Sequence, residues 1–319
     1  MNSVITHPAR KRLGRHLRAV AVVGGLVAAF LVAPSPAHAA EQAGQKFMTV
    51  NFHGRSTAPG DSAGGNANVP ALVSQIGSFQ PRALMLQEVC KSQVDALVTQ
   101  LGSTWPMQRT FTVLEASDPT GCPNGDHAFG DAILVPAAAT VSQATAWSIA
   151  TAGAPGLNPG VLPSPLPAEK QRVTCLKVTD ALAYPTAVCN THIKPGAAYE
   201  APQIQNAVAH VDSYGNGMPV AFGGDFNVAP TGAALDPVYK TGGAASGRFE
   251  EIDQCGGANP RRTDLTTCNY STHDPDVKLD YIFLKQAYFK GYSSLVQTVA
   301  GSDHKLLRGQ ATICSTATC

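Results

Sequence analysis

The stretch MPVAFGGDFN, Met218 to Asn227, passes from a short apolar run into two glycines and then into Asp225 and Asn227. An apolar run bounded by turn residues reads as a buried strand, and Gly223 and Gly224 permit the unusual dihedrals of a tight turn at its end. Such a strand delivers a carboxylate and an amide at its tip. The pattern recurs along the chain. KFMTVN stops at Asn51, ALMLQE at Glu88 and TAVCNTH at His192, while Asp280 heads DYIFL and GSDHKLL carries Asp303 and His304. Singly, each residue is ordinary, since a carboxylate after a buried strand usually caps a turn and a lone histidine is usually structural. Together they are a set of hard oxygen donors (Asn51, Glu88, Asp225, Asn227, Asp303) suited to Mg²⁺, whereas a zinc site calls for clustered His and Cys.

Outward from these tips, DAILVP, RVTCLKV, LDYIFL and QATIC supply further strands. Helices are expected near Ala71 to Phe79, in SQVDALVTQLG with Ser92 as N-cap, and from about Tyr199 to Tyr214, where Ile204, Val208 and Val211 recur at helical spacing. The Ala/Pro/Gly tract from about Thr151 to Pro167 reads as an inserted surface loop. No charged or low-complexity linker isolates a second hydrophobic unit. The pattern therefore predicts one α/β domain over residues 40–319, a two-sheet core flanked by helices rather than a βα-alternating array.

Composition agrees with a globular domain. Of 319 residues, 44% are hydrophobic and 14% charged, which excludes a disordered polyelectrolyte, a coiled coil and a collagen-like repeat. Arg10, Lys11, Arg12, Arg15 and Arg18 precede the apolar run AVAVVGGLVAAFLV and then PSPAHAA, where Ala37, His38 and Ala39 form a small-x-small cleavage pattern. Residues 1–39 are read as a secretory signal peptide, because the apolar run is short for a span of ~20 residues. Losing five basic and no acidic residues turns the formal +1 into −4. A polyanionic substrate must then be met by a local basic patch, a bound cation or both.

Eight cysteines (Cys90, Cys122, Cys175, Cys189, Cys255, Cys268, Cys314 and Cys319) follow the signal peptide. An even count in an exported chain without Cys-x-x-Cys spacing favours disulfides. Cys175 and Cys189 flank Asp180 to Pro185 symmetrically, as a cross-strand pair would. The neighbouring pairs 90 with 122, 255 with 268 and 314 with 319 complete the expectation.

The strings MTVNFHG, LMLQEV, GDAILV, NTHIKPG, GGDFN, LDYIF and SDHKLL occur in an order that resembles the endonuclease/exonuclease/phosphatase superfamily, the deoxyribonuclease I-like enzymes. The resemblance implies a four-layer sandwich of two packed mixed β-sheets flanked by helices, with the active site at one edge. It makes Glu88 the principal ligand of a catalytic Mg²⁺, with Asn51 and Asp303 nearby; Mn²⁺ and an auxiliary Ca²⁺ stay open. Asp225 and Asn227 would orient the attacking water and touch the scissile phosphate, His304 would pair with Asp280, and His192 would contact a phosphate oxygen or assist proton transfer. The general base is either His304 or Asp225. The chemistry is coherent without the resemblance: an anionic phosphodiester repels hydroxide, so hydrolysis needs a cation on the phosphate oxygens and a group to deprotonate water.

His53 and Arg55 after the first strand, Lys91 and Lys194 are the candidates for substrate contact. Two departures from relatives stand out, Cys90 directly after LQEV and Phe129 with Asp131 in FGDAILV; His127, Asp126 and His273 are further cleft candidates. Trp105 and Trp147 are isolated, so no stable membrane insertion is expected. Arg261, Arg262, Lys278 and Lys305 add cations that could follow a nucleic-acid backbone, and the net −4 argues the other way. The expectation is a secreted, monomeric endonuclease of low sequence specificity hydrolysing DNA; the alternative is a phosphatase or phospholipase C-type hydrolase of phosphoinositides, sphingomyelin or small phosphate esters.

Overall fold

A computed structural model describes residues 41–54, 68–115, 122, 128–149, 171–180, 184–239, 248–253, 271–314 and 319. The signal-peptide region, Arg55, the 151–167 tract, Asp126, His127, Cys255, Cys268, Arg261 and Arg262 lie outside the described residues. The elements are β1 (Gln42–Asn51), α1 (Asn68–Phe79), β2 (Ala83–Cys90), α2 (Lys91–Leu101), β3 (Met107–Glu115), β4 (Phe129–Pro136), β5 (Thr140–Val141), β6 (Thr145–Ser148), β7 (Arg172–Thr179), β8 (Thr186–His192), α3 (Glu200–Tyr214), β9 (Val220–Asp225), β10 (Phe249–Glu251), β11 (Asp280–Lys285), β12 (Phe289–Thr298) and β13 (Lys305–Ile313).

Strand periodicity builds the layers. In β1, Phe47 points into a core shared by both sheets, with Met85, Ile133, Val188, Ile282 and Leu307, while Met48 and Val50 pack with the helical residues Leu72, Ile76, Val94 and Leu97. Burial on both faces explains why the central strands read as continuous apolar runs. One sheet has the order β12-β13-β1-β2-β4-β3 and the other β10-β11-β9-β8-β7-β5, with β6 also paired to β7. Each is mixed: β1 runs parallel to β2 and β8 parallel to β9, and the remaining pairs are antiparallel. Helices α1 and α2 cover the first sheet; α3 covers the second through Ile204, Ala207, Val208 and Val211. The expected four-layer sandwich is the observed one.

The differences from the sequence reading have local causes. Helix α2 begins at Lys91 with Cys90 as N-cap, not at Ser92, and the Gln93 side chain closes back on the Cys90 amide at 2.9 Å. Strands β3 and β12 escape the reading because they are edge strands with polar residues interleaved; β12 alternates between buried or half-buried and exposed positions along its length. Disulfides join Cys90 to Cys122, Cys175 to Cys189 and Cys314 to Cys319, the neighbour pairs set out above. Cys175 and Cys189 are directly opposed on β7 and β8, with Cα atoms 4.1 Å apart. Among the described residues no helix is long and apolar enough to cross a membrane.

Candidate active site

Topology gathers the polar strand ends at one edge of the sandwich. The parallel pairs β1/β2 and β8/β9 end there, so Asn51, Glu88, His192 and Asp225 arrive on C-terminal tips. The antiparallel partners β11 and β13 start there, bringing Asp280 and the preceding His304 to the same edge. In register, His192 lies opposite Asp225, and Asp225 opposite Asp280.

Backbone geometry makes room for this convergence. Gly224 has φ of 140°, and a Cβ on it would lie 1.9 Å from the Thr191 carbonyl oxygen, so the parallel strands can close beside Asp225 only around a glycine. In β2 a bulge interrupts the register with β4 between Leu86 and Val89, and Glu88 adopts a left-handed φ of 51°. The amide of Asn190, reaching over from β8, donates to the carbonyls of Leu86 and Ala132 at 2.8 and 3.0 Å, and Gln87 donates to Asn190 Oδ1 at 2.7 Å. These bonds satisfy polar groups that the sandwich interior would otherwise leave without water. The chain after β1 is fastened beside the bulge, with the Phe52 amide donating to the Gln87 carbonyl and the Gly54 amide to that of Glu88.

Asn51 links the two sheets. Its Nδ2 donates to Glu88 Oε1 at 3.0 Å and to Asp225 Oδ2 at 3.1 Å, and its Oδ1 accepts the His53 amide at 3.0 Å. Asp225 Oδ1 accepts the Asn227 amide at 2.8 Å, and Asn227 Nδ2 lies 3.3 Å from His192 Nε2. That His192 nitrogen is 3.6 Å from both Glu88 Oε1 and Asp225 Oδ2. On the other side of Asp225, His304 Nδ1 is 2.8 Å from Asp280 Oδ2 and its Nε2 is 3.7 Å from Asp225 Oδ2.

Burial and neighbouring charge set the protonation of this group. Asp225 is buried, and desolvation together with the Asp280 charge raises its pKa to about 6 against the pull of His192, His304 and the Asn51 hydrogen bond. Burial alone would lower His304, but Asp280, by charge and hydrogen bond, with Asp225 and Asp303 carries it up to about 9. Asp303 is held well below the ordinary carboxylate range by the His53 hydrogen bond, against its partial burial, and by the charges of His53, His304 and His273.

Two hydroxyl groups that carry no signal in the sequence hold this arrangement. Ser302 Oγ donates to the Asn51 carbonyl at 2.8 Å and accepts the His304 amide at 3.0 Å, fastening the end of β1 to the start of β13. Thr272 Oγ1 accepts the amides of Leu279 and Asp280, each at 2.9 Å. A Ser or Thr beside a histidine is too common for its partner to be read from spacing.

Of the substrate candidates, His53 is turned toward Asp303, with Nδ1 3.1 Å from Oδ1. Lys91 pairs with Asp95 at 2.6 Å on the surface of α2, and Lys194 lies over the Tyr199 ring, 4.5 Å from its centroid. Lys278 is no surface cation: it is fully buried and ion-paired with Asp253 at 2.6 Å. Lys305 is engaged by Ser271 and Asp274. The Glu88 and Asp303 carboxylates are 26% and 48% exposed, against 1% for Asp225 and 0% for Asp280. These accessible carboxylates fit a hard divalent cation; Asn51, expected as an oxygen ligand, instead turns its amide nitrogen to Glu88 and Asp225 while its oxygen accepts the His53 amide, and the buried Asp280 is paired with His304.

The family described as "Endonuclease/Exonuclease/phosphatase family" matches residues 48–304 of the chain. A comparison with curated proteins finds no match. Among solved structures, the human Nocturnin catalytic domain with a bound sulfate anion is similar at 17% identity and a TM-score of 0.64, covering 85% of this chain and 94% of that one. An endonuclease/exonuclease/phosphatase from Bacteroides vulgatus follows at 16% identity and a TM-score of 0.61, covering 85% and 98%. A mannosyl-6-phosphatase from Bacteroides thetaiotaomicron has 14% identity and a TM-score of 0.55, covering 83% and 98%. At these identities the likeness establishes the fold.

Proposed function

The chain belongs to the endonuclease/exonuclease/phosphatase family, and from that premise we propose that it is a secreted, Mg²⁺-dependent phosphodiesterase that hydrolyses DNA with low sequence specificity. The observation that carries this reading is the buried line Asp280–His304–Asp225, joined through Asn51 to the more exposed Glu88. Glu88 and Asp303 would hold the cation, with Asn51 aligning Glu88 through its amide nitrogen; when bound, the cation would neutralise phosphate charge and stabilise the leaving oxygen.

The chain's own groups do the rest. Asp225, aligned by the Asn227 amide, accepts the proton of the attacking water. Asp280 fixes the His304 tautomer with the proton on Nδ1, which leaves Nε2 facing the reaction; as an imidazolium it donates to a phosphate oxygen and offsets the developing charge. His192 and Asn227 form the opposite wall and orient the phosphate. The roles divide because Asp225, raised only to about 6, is a carboxylate near neutral pH, whereas His304, carried up to about 9 beside Asp280, is an imidazolium there. The test is nicking of supercoiled plasmid by the mature protein with Mg²⁺ and with EDTA, beside Glu88→Ala. Nicking that needs both the metal and Glu88 supports the reading; metal-independent nicking, or full activity in Glu88→Ala, refutes it.

A second reading has its own support. Among the described cations proposed for backbone contact, Lys91, Lys278 and Lys305 are engaged by acidic side chains. Among the described residues, cations so engaged favour a compact phosphate ester over a long polyanion. Salt separates the two, since DNA cleavage falls steeply as salt competes for phosphate contacts and a small phosphomonoester responds little. The three disulfides among the described residues support the extracellular part of the proposal.

A further inference from the structure

Strand β2 breaks its own alternation at Glu88. Leu84 and Leu86 face the helices with Met48, Val94 and Leu97, while Met85 faces the other sheet with Val188 and Ile282. Gln87 keeps to that inner face, where its Nε2 donates to Thr49 Oγ1 at 3.2 Å and to Asn190 Oδ1 at 2.7 Å. Strict alternation would then send Glu88 out to the helices. Instead Val89 packs there, and Glu88 stays on the inner side, within reach of Asn51 and His192. Two successive inner residues are the mark of a bulge, and the register with β4 shifts between Leu86 and Val89. The bulge turns Glu88 into the cleft.

A bulge leaves backbone groups that must find partners elsewhere, and Glu88 adds the cost of a left-handed φ of 51°. Asn190, fully buried on β8, meets that need from the opposite sheet. Its Nδ2 donates to the Leu86 carbonyl at 2.8 Å and, at 3.0 Å, to the carbonyl of Ala132, the β4 residue paired with Leu86. Its Oδ1 accepts from Gln87, the residue before Glu88. An amide supplies two donors and an acceptor at once, which neither a hydroxyl nor an aliphatic side chain of that size can do. Two residues further along β8, on the same face, stands His192, with Nε2 3.6 Å from Glu88 Oε1. One strand thus carries both the clamp on the bulge and the wall that faces Glu88.

We propose that Asn190 is the positioning residue for Glu88: its hydrogen bonds across the sheets hold the β2 bulge in the register that presents the carboxylate to the cation, so that it governs metal affinity without touching metal or substrate. Glu88 as a cation ligand belongs to the proposed function, on which this inference rests, whereas the ester cleaved does not enter. Without Asn190 the Leu86 and Ala132 carbonyls and the Gln87 amide lose this partner, and β2 is free to slip against β4 by one residue, which carries the Glu88 carboxylate toward the helix face.

The test is binding of Mn²⁺, a stand-in for Mg²⁺ at oxygen sites, to the mature protein without substrate. Binding is read from the loss of the free-ion electron paramagnetic resonance signal, with near-ultraviolet circular dichroism as the check on folding. Asn190→Ala is expected to bind at least about tenfold more weakly than wild type, the lower end of what loss of a group supporting a metal ligand costs. Gln87→Met removes one bond of the clamp, shifts the affinity in the same direction by less, and serves if Asn190→Ala fails to fold. Thr112→Val deletes a buried hydroxyl that meets Thr174 Oγ1 of the other sheet at 2.8 Å; it lowers stability and leaves the affinity at the wild-type value. Wild-type affinity in both Asn190→Ala and Gln87→Met, or an equal loss in Thr112→Val, overturns the inference. Mn²⁺ binding that is unchanged in Glu88→Gln overturns it too, by removing its premise. Absence of plasmid nicking in a wild type that binds Mn²⁺ through Glu88 counts against the nuclease reading alone, because the affinity comparison needs no substrate.

Discussion

Two histidine–carboxylate clusters meet at the loop before β13, and they contain the same residue types in different surroundings. Asp225, Asp280 and His304 are buried at the ends of sheet strands, with the Asp225 carboxylate held by the Asn227 backbone amide and the Asn51 side chain and the Asp280 carboxylate by His304. His53, Asp303 and His273 sit on loops, partly exposed. In the first cluster burial and the Asp280 charge push Asp225 up, while the carboxylates of Asp280, Asp225 and Asp303 push His304 up against its burial, which is the condition for moving a proton. In the second, His53 and His273 flank a partly exposed carboxylate and hold it well below the ordinary carboxylate range. Burial, rather than residue identity, divides the roles.

Substitution at the buried cluster should have the largest effect. Asp225→Ala and His304→Ala are each expected to lower kcat by at least about 10²-fold, the scale of acid–base catalysis, while His53→Ala in saturating Mg²⁺ stays within about threefold. Steady-state kinetics on the substrate that the plasmid assay identifies would decide this, and a comparable loss in all three would erase the distinction.

Support for the buried cluster comes next. Thr272→Val removes the acceptor of two backbone amides and is expected to destabilise the fold by about 1–3 kcal/mol, the cost of unsatisfied buried donors. It should also lower kcat more than it raises KM, since Asp280 loses its alignment. Denaturant unfolding and kinetics read the two parts; unchanged stability would show that another group takes over the amides.

A smaller, pH-dependent effect follows from the shifts. His304, raised from 6.5 to about 9, contributes stability that is complete below pH 6.5 and is lost as pH rises through 9. Asp225, raised from 3.8 to about 6, acts in the same sense at lower pH: its contribution is complete below 3.8 and lost as pH rises through 6. The thermal midpoint in EDTA should therefore fall between pH 6.5 and 9.5, and His304→Ala should flatten that part of the profile. A wild-type midpoint that rises over this interval would contradict the cluster's charge balance.

The smallest effect is expected at the surface. Lys91→Ala breaks an exposed i,i+4 pair with Asp95 worth about 0–1 kcal/mol, and its nicking rate should match wild type because the ammonium is held on α2. A large loss of DNA cleavage would restore Lys91 as a substrate contact.

The apolar runs, their polar tips, the cysteine spacing and the two-sheet architecture were legible in the sequence because each depends on local pattern: strand period, turn residues and short loops. Partner choice was not local. Lys91 and Lys278 look alike as basic residues beside motifs, yet one pairs on an exposed helix and the other is buried against Asp253. Asn51 reads as an oxygen donor, and the fold uses its amide nitrogen to join carboxylates 37 and 174 positions away. Ser302 and Thr272 carry no chemical pattern, and His53 meets Asp303 only after β1 and β13 pair. The sequence by itself determined which groups stand at strand ends, since alternation and glycine placement act over a few residues. Only the tertiary structure decided which of them touch, because contacts between distant strand ends are set by sheet order and register.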